Sequence, residues 1–142
     1  MTISYNRLGS NGRLGNQMFQ YASLRGIANY NQYQWMIPPP DCNHRDNYGL
    51  FDTFEMKHCK PENLGFNDGM TITEKTHAFD DSMFYCTDGV NIDSYLQTED
   101  YFVHIADQIR EDFTFKKDYL EPCQEFISSL GSTPISVSYT HL

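Results

Sequence analysis

"NGRLGNQMFQYASLRGIA", residues 11–28, decides how this chain is read. Gly9, Gly12 and Gly15 break the backbone at a spacing of three, and Met18, Phe19, Tyr21, Ala22, Leu24, Ile27 and Ala28 follow at helical intervals. The pattern predicts a helix from about Gln17 to Tyr30. Its apolar members spread around most of the circumference, so the helix must be covered on more than one side. Just upstream, Thr2–Tyr5 is β-branched and aromatic, the signature of a short buried strand.

Outward from this unit, "WMIPPP" (Trp35–Pro40) reads as a strand ended by prolines, which cannot donate to a continuing ladder. Residues 41–88 are irregular, either a loop-rich subdomain or a variable insertion. Val90–Phe102 opens as a strand and gives way to a helix carrying Phe102, Ile105, Ala106, Ile109 and Phe113 at helical spacing. Strand, helix, strand, then strand and helix again is the order of an α/β domain.

A chain of 142 residues suits one domain or part of a larger one. Hydrophobic residues at 39% and aromatics at 15% give it enough apolar surface to offset chain entropy and fold. The formal charge of -9 opposes nucleic-acid binding and broad attraction to anionic membranes, so any bound anion must be held locally. No apolar run reaches spanning length, and "MTISYNRLGS" has neither a basic leader nor an apolar signal core. The expectation is a chain without a transmembrane segment, cytoplasmic or peripheral to a membrane.

Cys42, Cys59, Cys86 and Cys123 are widely spread, with no C-x-x-C pair and no closely spaced histidine partner. His44, His58, His77 and His104 are equally isolated. Reduced, scattered thiols and no metal are expected.

A strand feeding a glycine-rich loop and a helix N-terminus presents unpaired N–H groups and the positive end of the helix dipole, which suits a phosphate or diphosphate. Arg13 would add a forked, permanent charge. Asn16 stands where it can cap the helix or reach the ligand. On pattern alone a plain capped turn is the favoured reading: Asn is a favoured N-cap and glycines are default turn residues. The loop lacks the Lys-Ser/Thr pair of a P-loop, and its glycine spacing is not the dinucleotide fingerprint.

"GRLGNQMFQYA" (Gly12–Ala22) resembles the N-terminal signature of the glycosyltransferase family that contains the α-1,2-fucosyltransferases, the family 11 type. "YLQTEDYFVHIADQIREDFTF" (Tyr95–Phe115) is similar to that family's second block, with Ser94 standing where a glycine is expected. The resemblance implies a Rossmann-like N-terminal domain of a two-domain GT-B glycosyltransferase. It also implies inverting, metal-independent transfer of L-fucose from GDP-fucose to the 2-hydroxyl of a galactoside, so the expected partners are GDP-fucose and a galactose-containing glycan acceptor, with no cofactor.

Protein cations and amides would then stabilise the leaving diphosphate. On this resemblance Gly12, Arg13, Gly15, Asn16 and Gln17 form the donor and phosphate site, with Gln17 a ligand contact or a support for the loop. Gln97, Thr98 and Glu99 either line the cleft or form a plain strand-to-helix turn capped by Thr98. Arg110, beside Glu111 and Asp112, is expected to be solvated or ion-paired. Asp80, Asp81, Asp93 and Asp100 are candidate bases, and their spacing selects none.

The family's main donor motif, a strand ending in His-x-Arg-Arg-Gly-Asp-Tyr, is expected after the second block, and Thr133–Val137 resembles its opening strand. "SVSYTHL" (Ser136–Leu142) instead translates, in one frame, the end of a common transposase-based sequencing adapter. The expectation is therefore an N-terminal fucosyltransferase-like part, 1–135, followed by an adapter-derived tail, 136–142, with the fragment itself inactive. A stand-alone phosphate- or nucleotide-binding α/β module is the alternative, and a purely structural fragment capped by Asn16 is a third.

Overall fold

The computed structural model describes residues 1–42 and 48–131. The strand expected at 133–137 and the tail at 136–142 lie outside them. Four short strands, β1 (Thr2–Ser4), β2 (Gln34–Met36), β3 (Thr71–Ile72) and β4 (Asn91–Ile92), pair entirely in parallel in the order β2-β1-β4-β3. The helices are α1 (Leu14–Asn31), α2 (Leu50–Thr53), α3 (Ala106–Asp112) and α4 (Lys117–Ser129), joined by short 3₁₀ turns. The expected α/β class is what forms. The chain runs from β1 through α1 to β2 on one side, and β4 and β3 build out from the other, so the sheet changes direction between β1 and β4.

Helix α1 is buried continuously from Gln20 to Ala28, because strands cover one side and the turns after β4 cover the other. Its polar members Gln17, Gln20, Ser23 and Arg25 are buried with the apolar ones. Arg25 reaches the fully buried Asp112 at the end of α3 as an ion pair. Asp112 also accepts from the Tyr21 hydroxyl at 2.9 Å and from the His58 backbone N–H at 2.6 Å. The guanidinium lies over Trp35 and Tyr21, 5.5 and 5.7 Å from the ring centres, and donates to Gln108 at 2.8 Å. This network ties α1, β2, α3 and the segment before residue 60 together.

Several expectations change. Helix α1 begins at Leu14 rather than near Gln17. The second strand stops at Met36, and beyond it Ile37 bridges Leu64 in parallel. The expected 102–113 helix is broken: 3₁₀ turns at Glu99–Tyr101 and Val103–Ile105 precede α3. The irregular 41–88 stretch contributes a sheet strand, β3, held by Asp93 N–H to Ile72 O at 3.0 Å. Arg110 is exposed and ion-paired as expected, its partner being Asp107 at 2.7 Å. Helix α4 has no buried residue and contains Pro122.

Burial raises the acid groups of the core. The Cys59 thiol is pushed from 9.0 to about 12, and the phenols of Tyr5, Tyr21 and Tyr101 rise above their ordinary 10.0, desolvation leading in each case. Above the unfolded values these groups lose protons in the unfolded chain while the folded chain keeps them, so stability must fall as pH rises. We expect the urea midpoint to hold up to about pH 9 and then decline steadily towards pH 11. A midpoint that is flat across that window would contradict this burial.

Candidate functional site

The two motif blocks meet at the carboxyl ends of the strands. After β1 the chain turns through Leu8 N–H to Tyr5 O (3.2 Å) and Ser10 N–H to Arg7 O (3.0 Å), and enters α1 with Arg13 as its extended N-cap residue. The Arg13 side chain makes no capping bond, and the first intrahelical bond is Gln17 N–H to Arg13 O at 3.0 Å. The N–H groups of Leu14, Gly15 and Asn16 therefore have no intrahelical acceptor. Arg13 is exposed, and among the described residues its guanidinium has no hydrogen-bond or ion-pair partner.

Asn16 is the third helical residue and not the cap, so that alternative is excluded by where the helix starts. Its side-chain oxygen accepts from Gln97 Nε2 at 2.7 Å, linking the first block to the second across 81 residues. Gly12 makes this possible. At φ +87° it adopts a left-handed conformation, and a Cβ there would stand 2.3 Å from Asn16 Nδ2. Gln17 faces inward and is fully buried: its Nε2 donates to Gly12 O at 3.3 Å and its Oε1 accepts from Gly49 N–H at 3.1 Å. Gly15 differs from both, because a Cβ there would meet nothing within 4 Å and no contact inside the chain requires a glycine.

The turn that carries Gln97 is strained and clamped. Leu96 is fully buried at φ +52°, a costly conformation for a branched side chain. Glu74 holds it there: Oε2 accepts from Leu96 N–H at 3.0 Å and Oε1 from the Tyr101 hydroxyl at 3.0 Å. Ser94, found where a glycine was expected, accepts Glu74 N–H on its hydroxyl at 2.6 Å, and its carbonyl accepts from Tyr5 at 2.5 Å. Thr98 caps the following 3₁₀ turn by accepting from Asp100 N–H at 3.3 Å. Glu74 carried no signal in the sequence, since it lies in the stretch that matches no pattern and acts only through contacts made on folding.

Among the loops that follow β1, β3 and β4 lies an open crevice of about 370 Å³, lined by Arg7, Asn11, Glu74, His77, Asp93 and Tyr95 among others. It sits where the sheet changes direction, the usual ligand position in parallel α/β sheets. An amide lattice ties the neighbouring strand ends together. Asn91 accepts from Asn6 N–H at 2.8 Å and donates to Thr71 Oγ1 at 3.0 Å, while Asn6 and Asn67 exchange bonds at 2.6 and 3.1 Å.

Of the four carboxylates considered as bases, Asp93 lines this crevice, paired with Arg7 at 3.0 Å. Asp80 instead caps a 3₁₀ turn, where the Ser82 hydroxyl holds it below its ordinary value. Asp100 accepts from Thr98, and Asp81 is exposed.

Among the described residues no three His, Cys, Asp or Glu side chains converge as metal ligands, all four cysteines are free, and no helix is long and apolar enough to cross a membrane. No protein-family model, curated protein or solved structure matches this chain.

Proposed function

We propose that residues 1–135 belong to the N-terminal, Rossmann-like part of a GT-B glycosyltransferase that moves L-fucose from GDP-fucose to the 2-hydroxyl of a galactoside. The observation that carries this reading is the Asn16–Gln97 hydrogen bond. It brings the two sequence blocks that resemble the α-1,2-fucosyltransferases together beside three helical N–H groups with no intrahelical acceptor and beside Arg13, which has no partner among the described residues. Such an arrangement suits a diphosphate: the amides and the helix dipole supply directed positive charge, and Arg13 supplies a fork that needs no metal to balance a leaving group. On this reading the guanine- and fucose-holding arginines belong to a second domain, and these residues alone bind GDP without transferring sugar.

Gly15 provides the test. A glycine at an exposed position in the first turn of a helix costs about 0.5–1 kcal/mol relative to alanine, and no internal contact repays it here. Gly15→Ala is therefore expected to raise stability by about that amount while weakening GDP, because the methyl group stands where a phosphate approaches the backbone. Arg13→Ala should leave stability unchanged and weaken GDP by about ten- to a hundredfold, the worth of a charge-assisted bond.

Both are read by calorimetry and by the amide shifts of Leu14, Gly15 and Asn16. Unchanged GDP affinity in both variants would remove the phosphate site. The transferase reading has its own test: coding DNA that continues in frame beyond codon 135 through His-x-Arg-Arg-Gly-Asp-Tyr supports it. A genuine stop after Leu142 combined with tight GDP binding would put a stand-alone nucleotide-binding module in its place.

A further inference from the structure

The crevice between Arg7 and Tyr95 is separate from the phosphate-facing helix end, and its chemistry narrows what it can hold. Two cations, Arg7 and Lys75, and two carboxylates, Glu74 and Asp93, line it, so their charges cancel. Glu74 is already committed to Leu96 and Tyr101, and Asp93 is held by Arg7. An anionic ligand would meet Asp93 and a chain of net charge -9, and a cationic one would meet Arg7 and Lys75. A purely apolar ligand would strand those polar groups without water.

A polyhydroxylated ring fits instead, since each hydroxyl both donates and accepts. The Arg7–Asp93 pair offers donor and acceptor edges side by side, with the Asn11 amide and His77 imidazole also in the lining. Tyr95, 41% exposed at the wall, supplies a flat aromatic surface for the carbon face of such a ring. At about 370 Å³ the space is within the range of small-ligand sites.

We propose that this crevice is a binding site for a neutral pyranoside, read by the Arg7–Asp93 pair and stacked on Tyr95. The inference rests on the transferase reading for its role, since it gives the acceptor sugar a place, but the site stands on its own residues. The lattice of half-buried Asn6 and Asn67 with buried Asn91 ties together the strand ends that lead into its lining, and the Glu74 clamp connects its wall to the turn that carries Gln97.

Titrating the whole chain with methyl β-D-galactoside, methyl β-D-glucoside and guanosine, followed by amide shifts, tests it. A glycoside is expected to move the amides of residues 73–77 and 93–95 saturably, and guanosine is expected not to. Tyr95→Ala should weaken the glycoside about tenfold while leaving GDP-induced shifts at Leu14–Asn16 intact, and His77→Ala serves as the second variant should Tyr95→Ala unfold. No glycoside response up to the solubility limit, a guanosine response at the same amides, or glycoside affinity unchanged in the folded variants would overturn the proposal. Glycoside binding without a GDP response would sink the phosphate site and keep this one. The reverse result would sink this one alone.

Discussion

Asp112→Ala is expected to lower the stability of the chain by about 3–5 kcal/mol, enough to leave up to about half of it unfolded if its total lies at the low end of the usual ~5–15. The carboxylate is fully buried and takes bonds from Arg25, the Tyr21 hydroxyl and the His58 backbone. Removing it strands a guanidinium that is itself almost wholly buried, with Gln108 and two ring faces as its remaining partners. Uncompensated buried charge is the dominant cost; the lost packing of a small side chain is minor.

The double change Arg25→Met with Asp112→Asn separates these terms, because it removes both charges, nearly keeps volume and leaves an amide oxygen to accept from Tyr21 and His58. It should recover most of the loss. Urea denaturation of the two variants decides the matter. A fall of less than about 1 kcal/mol for Asp112→Ala would mean that water reaches the pair and that it behaves as a surface bridge.

Gly26→Ala is the second large effect, and it runs opposite to Gly15→Ala on the same helix. Alanine is the better helix former by about 1 kcal/mol at both positions. At Gly26, however, the new methyl carbon would stand 1.9 Å from Tyr101 O and 2.8 Å from Phe102 Cα, both backbone atoms that cannot rotate away. Helix α1 and the Glu99–Tyr101 turn must separate, at an overpacking cost of at least about 1–3 kcal/mol.

The same separation pulls Gln97 from Asn16, because the turn that carries Gln97 runs directly into Tyr101. Thermal unfolding should therefore show a lowered midpoint for Gly26→Ala and a raised one for Gly15→Ala, and GDP affinity should fall in both. A Gly26→Ala protein as stable as its parent would show that the two segments do not touch.

The turn from the first strand into α1 was legible in residues 11–28 because it is local. A strand, a glycine break and a helix start are properties of consecutive residues, and the first strand and α1 form within a few residues of where periodicity puts them. The helix start was misjudged by about one turn because Gly15 and Asn16, poor helix formers, hide the first turn. Strand β3 was missed because two residues are too few to display alternation. The break between Phe102 and Ala106 was missed because the apolar spacing of a helix continues through it.

What the sequence by itself determined is the α/β order, the glycine loop with Arg13 and Asn16 at the mouth of a helix, and a chain too acidic to hold anions except at a local site. The tertiary structure alone decided the strand order, the burial of Arg25 against Asp112, the Glu74 clamp on Leu96 and the contact of Asn16 with Gln97. The last three join residues from 22 to 87 positions apart. Local preference fixes the conformation of a segment, whereas long-range partners are selected only when the whole core excludes water and every buried charge and amide must find one.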